Sequence, residues 1–591
     1  MSSAQMRQPN FMLLLLIAWL LVMLQLVAQH WAETAQTLLD TDDAMRLTQM
    51  RDWLAGQGWY DMVQRRVEPP LGYLSHWSRL IDAGLGGLLW LFRLFVDPAL
   101  AERLMRTVWP MLWLLPTMAG TAAIAWRIAG REAALLALLL AVVGLPAFHQ
   151  FRPGRIDHHN VQIALTTLTV AATVWSDRIR WAAFAAAAVT GLALAIGLEC
   201  LPYLMVCAAA FAARYVFDRN GARAAADYGL TLAAASILAF FVIVGPDHWA
   251  RGACDMIAIN WVALVAIGGV GLGVAGWKFP SERLSLRLAC VGLITVAAAV
   301  PFVLIEPRCL GGPYAMMDPA VWPIWLAHVR EMEPLIPLFA KSPLTAIAIA
   351  TFPVAALVAA LALLWQSELR RDYGFLVAAA GFAAAFITTL AAIKAYSYAT
   401  WLGMPLVAAL ALHLFAWLHV RSLVPRVALG LLLTPAVLSI GAISIADAAG
   451  INERENFNRP EREACLKTEN YAPLARLPAG LVAADIDFGP FLLALTPHSV
   501  LAAPYHRLSK GIIAAHTAFV APPDEARRIL DREHVTYVIT CGPRPPTGLT
   551  GEALSASLWG HLQAGDVPVW LEPVPQTLGQ AFVAYRVKPL S

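Results

Sequence analysis

Two short motifs in this chain contain the residue types that bind divalent metal ions. Asp40 and Asp42 stand in the sequence Leu-Leu-Asp-Thr-Asp-Asp, and Asp157, His158 and His159 follow a Pro-Gly-Arg-Ile segment. Hard divalent cations prefer carboxylate oxygens, and Mn²⁺ accepts imidazole as well. Each motif alone also fits a structural role, the first as a helix cap and the second as a solvated turn. A fold that brought the two together would create a metal site.

Three further ionisable residues border apolar segments, where charge is costly and often marks a site. Glu331 stands in His-Val-Arg-Glu-Met-Glu-Pro, and Lys394 is followed by two tyrosines in Lys-Ala-Tyr-Ser-Tyr. Lys394 fits either an anion-binding residue or an interfacial anchor. Glu199, in Gly-Leu-Glu-Cys-Leu-Pro, is consistent either with a residue that faces the same site or with a cap at the end of a span. We leave it outside the predicted site.

The composition indicates which elements must position these residues. Hydrophobic residues make up 59% and charged residues 14% of the 591 residues, whereas soluble proteins carry about 25% charge. A soluble enzyme, a disordered chain and a nucleic-acid-binding protein are therefore excluded. About thirteen apolar runs approach the length that spans a bilayer. They begin near Phe11, Met105, Glu132, Val161, Trp181, Leu201, Tyr228, Asp255, Arg287, Leu344, Phe375, Tyr398 and Arg426.

The basic residues of the connections predict the orientation. With the N-terminus in the cytoplasm, every inside connection carries at least two basic residues, as the positive-inside rule requires. The long outside segments are then 29–104, 306–341 and the tail, short outside loops join the other spans, and all the candidate residues lie on the outer face. We expect a multi-pass protein of a bacterial inner (cell) membrane with a periplasmic C-terminal domain.

The tail after residue 446 has no apolar run long enough to span a membrane. It has strand-like segments at 480–484, 535–540 and 581–587, and a helix-like segment at 523–533 that begins with acidic residues. The predicted organisation is a transmembrane domain at 1–446 and an α/β domain at 447–591. Cys465 and Cys541 both lie in this outer domain, where a disulfide can form, and their pairing stays open.

These motifs together resemble the catalytic subunit of oligosaccharyltransferases, membrane glycosyltransferases of the GT-C class. The resemblance implies about thirteen transmembrane helices and a C-terminal α/β domain on the outer face. It implies that Asp42, Asp157 and His159 hold the metal, and that Glu331 closes over the site from the second outer loop. Lys394 matches the basic residue that binds the phosphate of the donor.

The same resemblance implies the chemistry. A polyprenyl phosphate or pyrophosphate carries the sugar or oligosaccharide, and Mn²⁺ or Mg²⁺ neutralises the leaving phosphate. Asp42, or less readily Asp40, polarises or deprotonates the nucleophile of a glycan, lipid or protein acceptor. A single displacement inverts the anomeric centre.

One motif departs from the family. Its Trp-Trp-Asp-Tyr-Gly motif is replaced here by Asp-Ile-Asp-Phe-Gly at 485–489, which leaves Asp487 as the acceptor-side residue without the tryptophan pair. We therefore expect an Asn-x-Thr peptide to be a poor acceptor.

One alternative is a polyprenyl-monophosphate-sugar transferase that modifies a lipid or glycan. A transporter or flippase is a further alternative, but it would place its charges at mid-span. A non-catalytic scaffold would leave the paired acids and histidines unexplained.

Overall fold

The computed structural model describes residues 10–454 and 462–589. The chain is mostly helical, with a small five-stranded sheet near its C-terminal end. In chain order the helices are α1 (Phe11–His30), α2 (Glu33–Gln36), α3 (Thr41–Leu54), α4 (Arg79–Arg93), α5 (Pro98–Val142), α6 (His159–Trp175), α7 (Trp181–Ile196), α8 (Leu201–Phe217), α9 (Ala222–Ile243), α10 (Ile259–Lys278), α11 (Leu284–Ile305), α12 (Val321–Ile324), α13 (Leu335–Lys341), α14 (Pro343–Leu364), α15 (Tyr373–Ala391), α16 (Tyr396–Trp417), α17 (Leu423–Leu432), α18 (Pro435–Ala448), α19 (Glu463–Leu466), α20 (Ala472–Ala475), α21 (Gly489–Leu495), α22 (Ser509–Val520), α23 (Pro523–Arg532), α24 (Gly551–Ala556) and α25 (Leu558–Gln563).

Each predicted apolar run coincides with a helix or a pair of helices. Within the described ranges, seven helices are long and apolar enough to cross a membrane, or nine if each of two bent pairs counts as one span. The helices α6, α7 and α8 are shorter, at 17, 16 and 17 residues. The number of thirteen spans therefore stays a prediction.

Helix α5 contains a break that divides it into two helical segments. Ala129 and Gly130 leave helical geometry, and Gly130 has a φ of 80°. Glycine adopts this left-handed conformation without the steric cost that a Cβ would add. The runs predicted to begin near Met105 and Glu132 fall on either side of this break.

Helices α9 and α10 pack through glycines. A Cβ added to Gly229 would lie 2.4 Å from the carbonyl oxygen of Gly269. Small residues allow such close backbone approach between membrane helices. The connection between the two helices, 244–258, contributes to a cavity described below.

The C-terminal region contains most of the strands. The strands of the chain are β1 (Val63–Gln64), β2 (Tyr73–Leu74), β3 (Leu481–Ala483), β4 (Ser499–Val500), β5 (Tyr537–Cys541), β6 (Leu571–Pro573) and β7 (Phe582–Val587). The larger sheet has the order β4-β3-β5-β7-β6, with β3 parallel to β4 and β5, and β7 antiparallel to β5 and β6. All five residues of β5 are buried, as expected for a central strand. The predicted strands and the helix at 523–533 are confirmed to within two residues at each end.

Two disulfides join residues of the predicted outer segments. Cys465 pairs with Cys541, which settles the pairing that the sequence left open. Cys254 pairs with Cys309, which sequence reasoning did not identify. The second bond ties the α9–α10 connection to the segment that follows α11.

Candidate active site

The acidic motif after α1 forms the beginning of α3. Asp40 is the N-cap residue, and its carboxylate accepts a hydrogen bond from the backbone N–H of Asp42 at 3.1 Å. Asp42 therefore lies in the first turn, where the helix dipole favours an anionic side chain. Asp43 accepts hydrogen bonds from the backbone N–H groups of Ile156 and Asp157, at 2.7 and 3.1 Å. These two bonds attach the loop of the second motif to α3.

Arg155 is the buried cation at the centre of this arrangement. Its guanidinium contacts Asp40 at 2.7 Å, Asp43 at 3.1 Å and Asp157 at 2.5 Å. Burial by itself would raise the pKa of Asp40, but the neighbouring Arg155 holds it below its usual range. Arg155 thus neutralises the acids that surround Asp42 without contacting Asp42.

Asp42 is the carboxylate that this network leaves unpaired. Among the described residues it has no ion-pair partner. Burial raises its pKa well above the ordinary value, and the nearby carboxylates of Asp40, Glu331 and Asp157 add to the effect. A carboxylate surrounded by other acids is a suitable ligand for a cation.

The two predicted motifs do converge. One ligand atom from each of Asp42, Asp157 and His159 lies within 4.8 Å of the other two. Asp157 accepts a hydrogen bond from the backbone N–H of His159 at 3.0 Å, which fixes the start of α6. Two carboxylates and one imidazole form a donor set that suits Mn²⁺ and other divalent ions. The residues present therefore fit the metal that the sequence predicts.

Glu199 joins this cluster to Lys394. One carboxylate oxygen of Glu199 lies 3.1 Å from Nδ1 of His159, and the other lies 3.0 Å from Nζ of Lys394. Burial would raise the pKa of Glu199, but Lys394 and His159 hold it well below the ordinary range. Sequence reasoning left Glu199 out because an acid at a span end also fits a cap. Glu199 lies on the same predicted outer face as the other candidates, and this signal could have placed it in the predicted site.

Lys394 and His159 line a cavity of about 190 Å³. Tyr203 and Tyr398 form another part of its wall, with their rings 4.5 Å apart. The hydroxyl of Tyr398 is buried and has no hydrogen-bond partner among the described residues. We call this space the first cavity. A cation, an unpaired hydroxyl and two aromatic rings suit a ligand with both anionic and polar groups.

Glu331 lies near the cluster without contacting it directly. It lies in a short 3₁₀ turn, Arg330–Met332. Its charge is close enough to raise the pKa of Asp42. The backbone N–H of Ile393 donates to the carbonyl of Glu333 at 3.0 Å, which joins this loop to the turn that holds Lys394.

Asp487 is the predicted residue that the structure does not bring to the cluster. Arg462 contacts it at 2.8 Å and contacts Asp485 at 3.2 Å. None of its described contacts reaches the candidate metal ligands. The C-terminal region instead meets the site through Tyr505, whose hydroxyl donates to the backbone carbonyl of Thr41 at 3.2 Å.

The helical architecture and the convergence of these motifs define a protein with the fold of the membrane glycosyltransferases of the GT-C class. No protein-family model and no curated protein sequence matches the chain. Among solved structures, the chain is similar to the oligosaccharyltransferase of Archaeoglobus fulgidus in its apo form, with a TM-score of 0.65 and 14% identity over 97% of this chain and 74% of the other. It is equally similar to oligosaccharyltransferase AglB of A. fulgidus in complex with an inhibitory peptide and a dolichol-phosphate, with a TM-score of 0.65 and 14% identity over 98% of this chain and 75% of the other.

A third similar structure contains a metal ion. The A. fulgidus oligosaccharyltransferase in complex with Zn and sulfate matches with a TM-score of 0.59 and 14% identity, over 98% of this chain and 74% of the other. At this level of identity the likeness establishes the fold of the chain. Its activity is inferred from its own residues.

Proposed function

We propose that the chain is a membrane glycosyltransferase that moves a sugar or oligosaccharide from a polyprenyl phosphate or pyrophosphate to an acceptor on the outer face of a bacterial inner membrane. The observation that carries this proposal is the convergence of Asp42, Asp157 and His159 beside Lys394. Two carboxylates and an imidazole near the ammonium group of Lys394, which pairs with Glu199, suit a metal ion and a phosphate bound side by side. The solved structure of AglB with a dolichol-phosphate supports a lipid-linked donor.

The residues have separate roles in this mechanism. Asp42, Asp157 and His159 would hold Mn²⁺ or Mg²⁺, which neutralises charge on the leaving phosphate. Lys394 contributes a point charge to the same phosphate, and Glu199 holds the lysine in place until the donor binds. Glu331 closes the site from its loop and excludes water.

The transfer is a single displacement. The acceptor oxygen forms a bond to the anomeric carbon, and the bond from that carbon to the phosphate oxygen breaks. The electron pair leaves on the polyprenyl phosphate, and the acceptor proton passes to the carboxylate of Asp42. Attack from the face opposite the leaving group inverts the anomeric centre.

The domain organisation belongs to the same proposal. We infer a transmembrane catalytic domain at 1–446 and an outer domain at 447–591. Both disulfides join residues of the predicted outer segments. Disulfides persist in oxidising compartments such as the periplasm, which supports the proposed orientation.

A second candidate is a polyprenyl-monophosphate-sugar transferase that modifies a lipid or a glycan. The engagement of Asp487 by Arg462 favours it, because the motif at 485–489 then lacks both the tryptophan pair and a free acid. A transporter is disfavoured, because the candidate charges lie at the ends of helices. The metal site and donor chemistry are common to both transferase candidates.

The test is turnover of a lipid-linked sugar donor by purified protein, with and without Mn²⁺ or Mg²⁺. Asp42→Asn, Asp157→Asn and His159→Ala should each lower turnover at least about a hundredfold, because electrostatic stabilisation of the leaving group is lost. Chelator should do the same to the wild type. The matched control is Asp247→Asn, which removes an exposed acid from the α9–α10 connection. Full turnover by the three variants in chelator would refute the proposed site, and product NMR would reveal the anomeric configuration.

A further inference from the structure

A second cavity, of about 430 Å³, lies apart from the first cavity and shares none of its lining residues. It lies where four parts of the chain meet. These are the segment around β2, the α9–α10 connection, the segment after α11, and the start of the turn before α22. Pockets of this size hold small ligands or the headgroup end of a larger one.

The walls of the second cavity are largely apolar. Met62, Ile243, Val244, Ile257 and Met316 contribute to them. Ile243 is the last residue of α9, and Ile257 lies two residues before α10. Both helices are long and apolar enough to cross a membrane. An apolar chain that runs along the ends of these helices would therefore find a continuous apolar surface.

One end of the second cavity is polar and rigidly held. Asp255 accepts hydrogen bonds from Nη2 and Nε of Arg507, at 2.5 and 2.7 Å, and lies 2.6 Å from Nε2 of His506. The adjacent Cys254 is fixed by its disulfide to Cys309. The carboxylate is thus fully engaged, and it cannot neutralise a second cation.

Arg251 is a second cation beside this cavity, in addition to Arg507. It lines the same cavity, is exposed, and has no ion-pair partner among the described residues. Two arginines and one carboxylate leave the lining with an excess of positive charge. A guanidinium that is not occupied within the protein is well suited to a phosphate or carboxylate of a ligand.

The polar end of the second cavity is adjacent to the candidate active site. The rings of His506 and His76 are 4.8 Å apart, and the ring of Trp77 is 5.9 Å from that of His158. Tyr505, next to His506, contacts the backbone of Thr41. These contacts connect the wall of the second cavity with residues beside the acids of α3.

We propose that the second cavity binds the acceptor, and that the acceptor is a lipid with an anionic headgroup that carries a hydroxyl. This inference rests on the proposed function. The lipid chain lies against the apolar walls, its anion pairs with Arg251, and its hydroxyl points past these rings towards Asp42. The donor binds in the first cavity, which Lys394 lines.

The experiment measures lipid binding in the absence of donor and metal. The full-length protein is placed in phosphatidylcholine nanodiscs and titrated with fluorescently labelled phosphatidylglycerol, which has a phosphate and free hydroxyls. Labelled phosphatidylcholine is the comparison probe and should bind more weakly to the wild type. Arg251→Glu should weaken phosphatidylglycerol binding about tenfold or more, because it replaces an attraction by a repulsion. Met316→Trp, a change at an exposed residue, should weaken both probes by filling the cavity.

The matched control is Arg476→Glu, which reverses an exposed charge in the C-terminal region. It should leave both affinities within about twofold of the wild type. Unchanged phosphatidylglycerol binding in both Arg251→Glu and Met316→Trp would overturn the proposal. Displacement of the lipid by millimolar inorganic phosphate would also overturn it, because the site would then recognise a free anion.

The two proposals fail in distinguishable ways. Lipid binding that depends on Arg251, without any turnover of lipid-linked donors, would refute the proposed function and leave the lipid site in place. Donor turnover without lipid binding in this cavity would refute the lipid site and leave the proposed function in place.

Discussion

Replacing Arg155 with methionine should destabilise the protein more than any exchange of a surface arginine. Arg155 is buried and contacts three aspartates, at 2.7, 3.1 and 2.5 Å. Methionine preserves much of the length and apolar volume of the side chain but none of the charge. Removing one partner of a buried ion pair costs about 3–5 kcal/mol, because the remaining charge is left without compensation. We expect a loss in this range for Arg155→Met, since Asp43 and Asp157 are fully buried.

The loss would be measured by denaturant unfolding in detergent, followed by tryptophan fluorescence. The control is Arg65→Met. Arg65 pairs with Asp61 at 2.7 Å, and its side chain is 67% exposed. Such a surface pair contributes about 0–1 kcal/mol. The two variants thus compare a buried arginine that pairs with three carboxylates with an exposed arginine that pairs with one.

The variant should also respond differently to metal. Without Arg155, three aspartates close to Asp42 lose the guanidinium that pairs with them. Mn²⁺ should therefore stabilise Arg155→Met against unfolding more than it stabilises the wild type, because an ion that binds only the folded state shifts the equilibrium towards it. Equal losses for Arg155→Met and Arg65→Met, with equal responses to Mn²⁺, would refute the idea that Arg155 neutralises the acids around the site.

Three other predictions concern pH, the disulfide and the donor. Burial lowers the pKa of His498 from the ordinary 6.5. Below pH 6.5 the unfolded chain therefore binds more protons than the folded chain. The free energy of unfolding should be constant above pH 6.5 and fall as the pH drops below 6.5. It should level off below the pKa of His498 in the folded state. His498→Gln should show a smaller fall in denaturant unfolding between about pH 7.5 and about pH 5. Replacing Cys465 and Cys541 with serine should cost about 2–4 kcal/mol in the same assay, because a long closed loop is lost, whereas Cys290→Ser should cost far less. Lys394→Ala should raise the apparent KM for the donor, and Lys394→Arg should retain much of the affinity; an unchanged KM in the alanine variant would make Lys394 an anchor only.

The sequence predicted the parts of this molecule that have local signals. Apolar runs located the helices, because a span needs an uninterrupted apolar stretch. Asp42, Asp157 and His159 were identified because charged groups next to such stretches are rare. Their convergence was an expectation from the resemblance, and the structure brings them together.

The remaining features depend on contacts between distant residues. Arg155 and Asp40 are 115 positions apart, and Lys394 and Glu199 are 195 apart. No local pattern indicates such pairs, so the network around Asp42 could not be predicted. The Cys254–Cys309 disulfide was missed for the same reason, since seven cysteines allow many pairings and the sequence does not choose among them.

The position of Asp487 bears on the choice of acceptor. In the family that the sequence resembles, the motif at this point supplies two indoles and an acid to the acceptor. Here the indoles are absent and the acid is neutralised by Arg462 within the C-terminal region. A site that discriminates by hydrogen bonds needs donors and acceptors that are free to face the substrate. Tyr505 of the C-terminal region contacts the first turn of α3, and the neighbouring His506 and Arg507 line the second cavity. The acceptor surface of this chain is therefore better sought at 505–507 than at 485–489, and its apolar walls favour a lipid over a peptide.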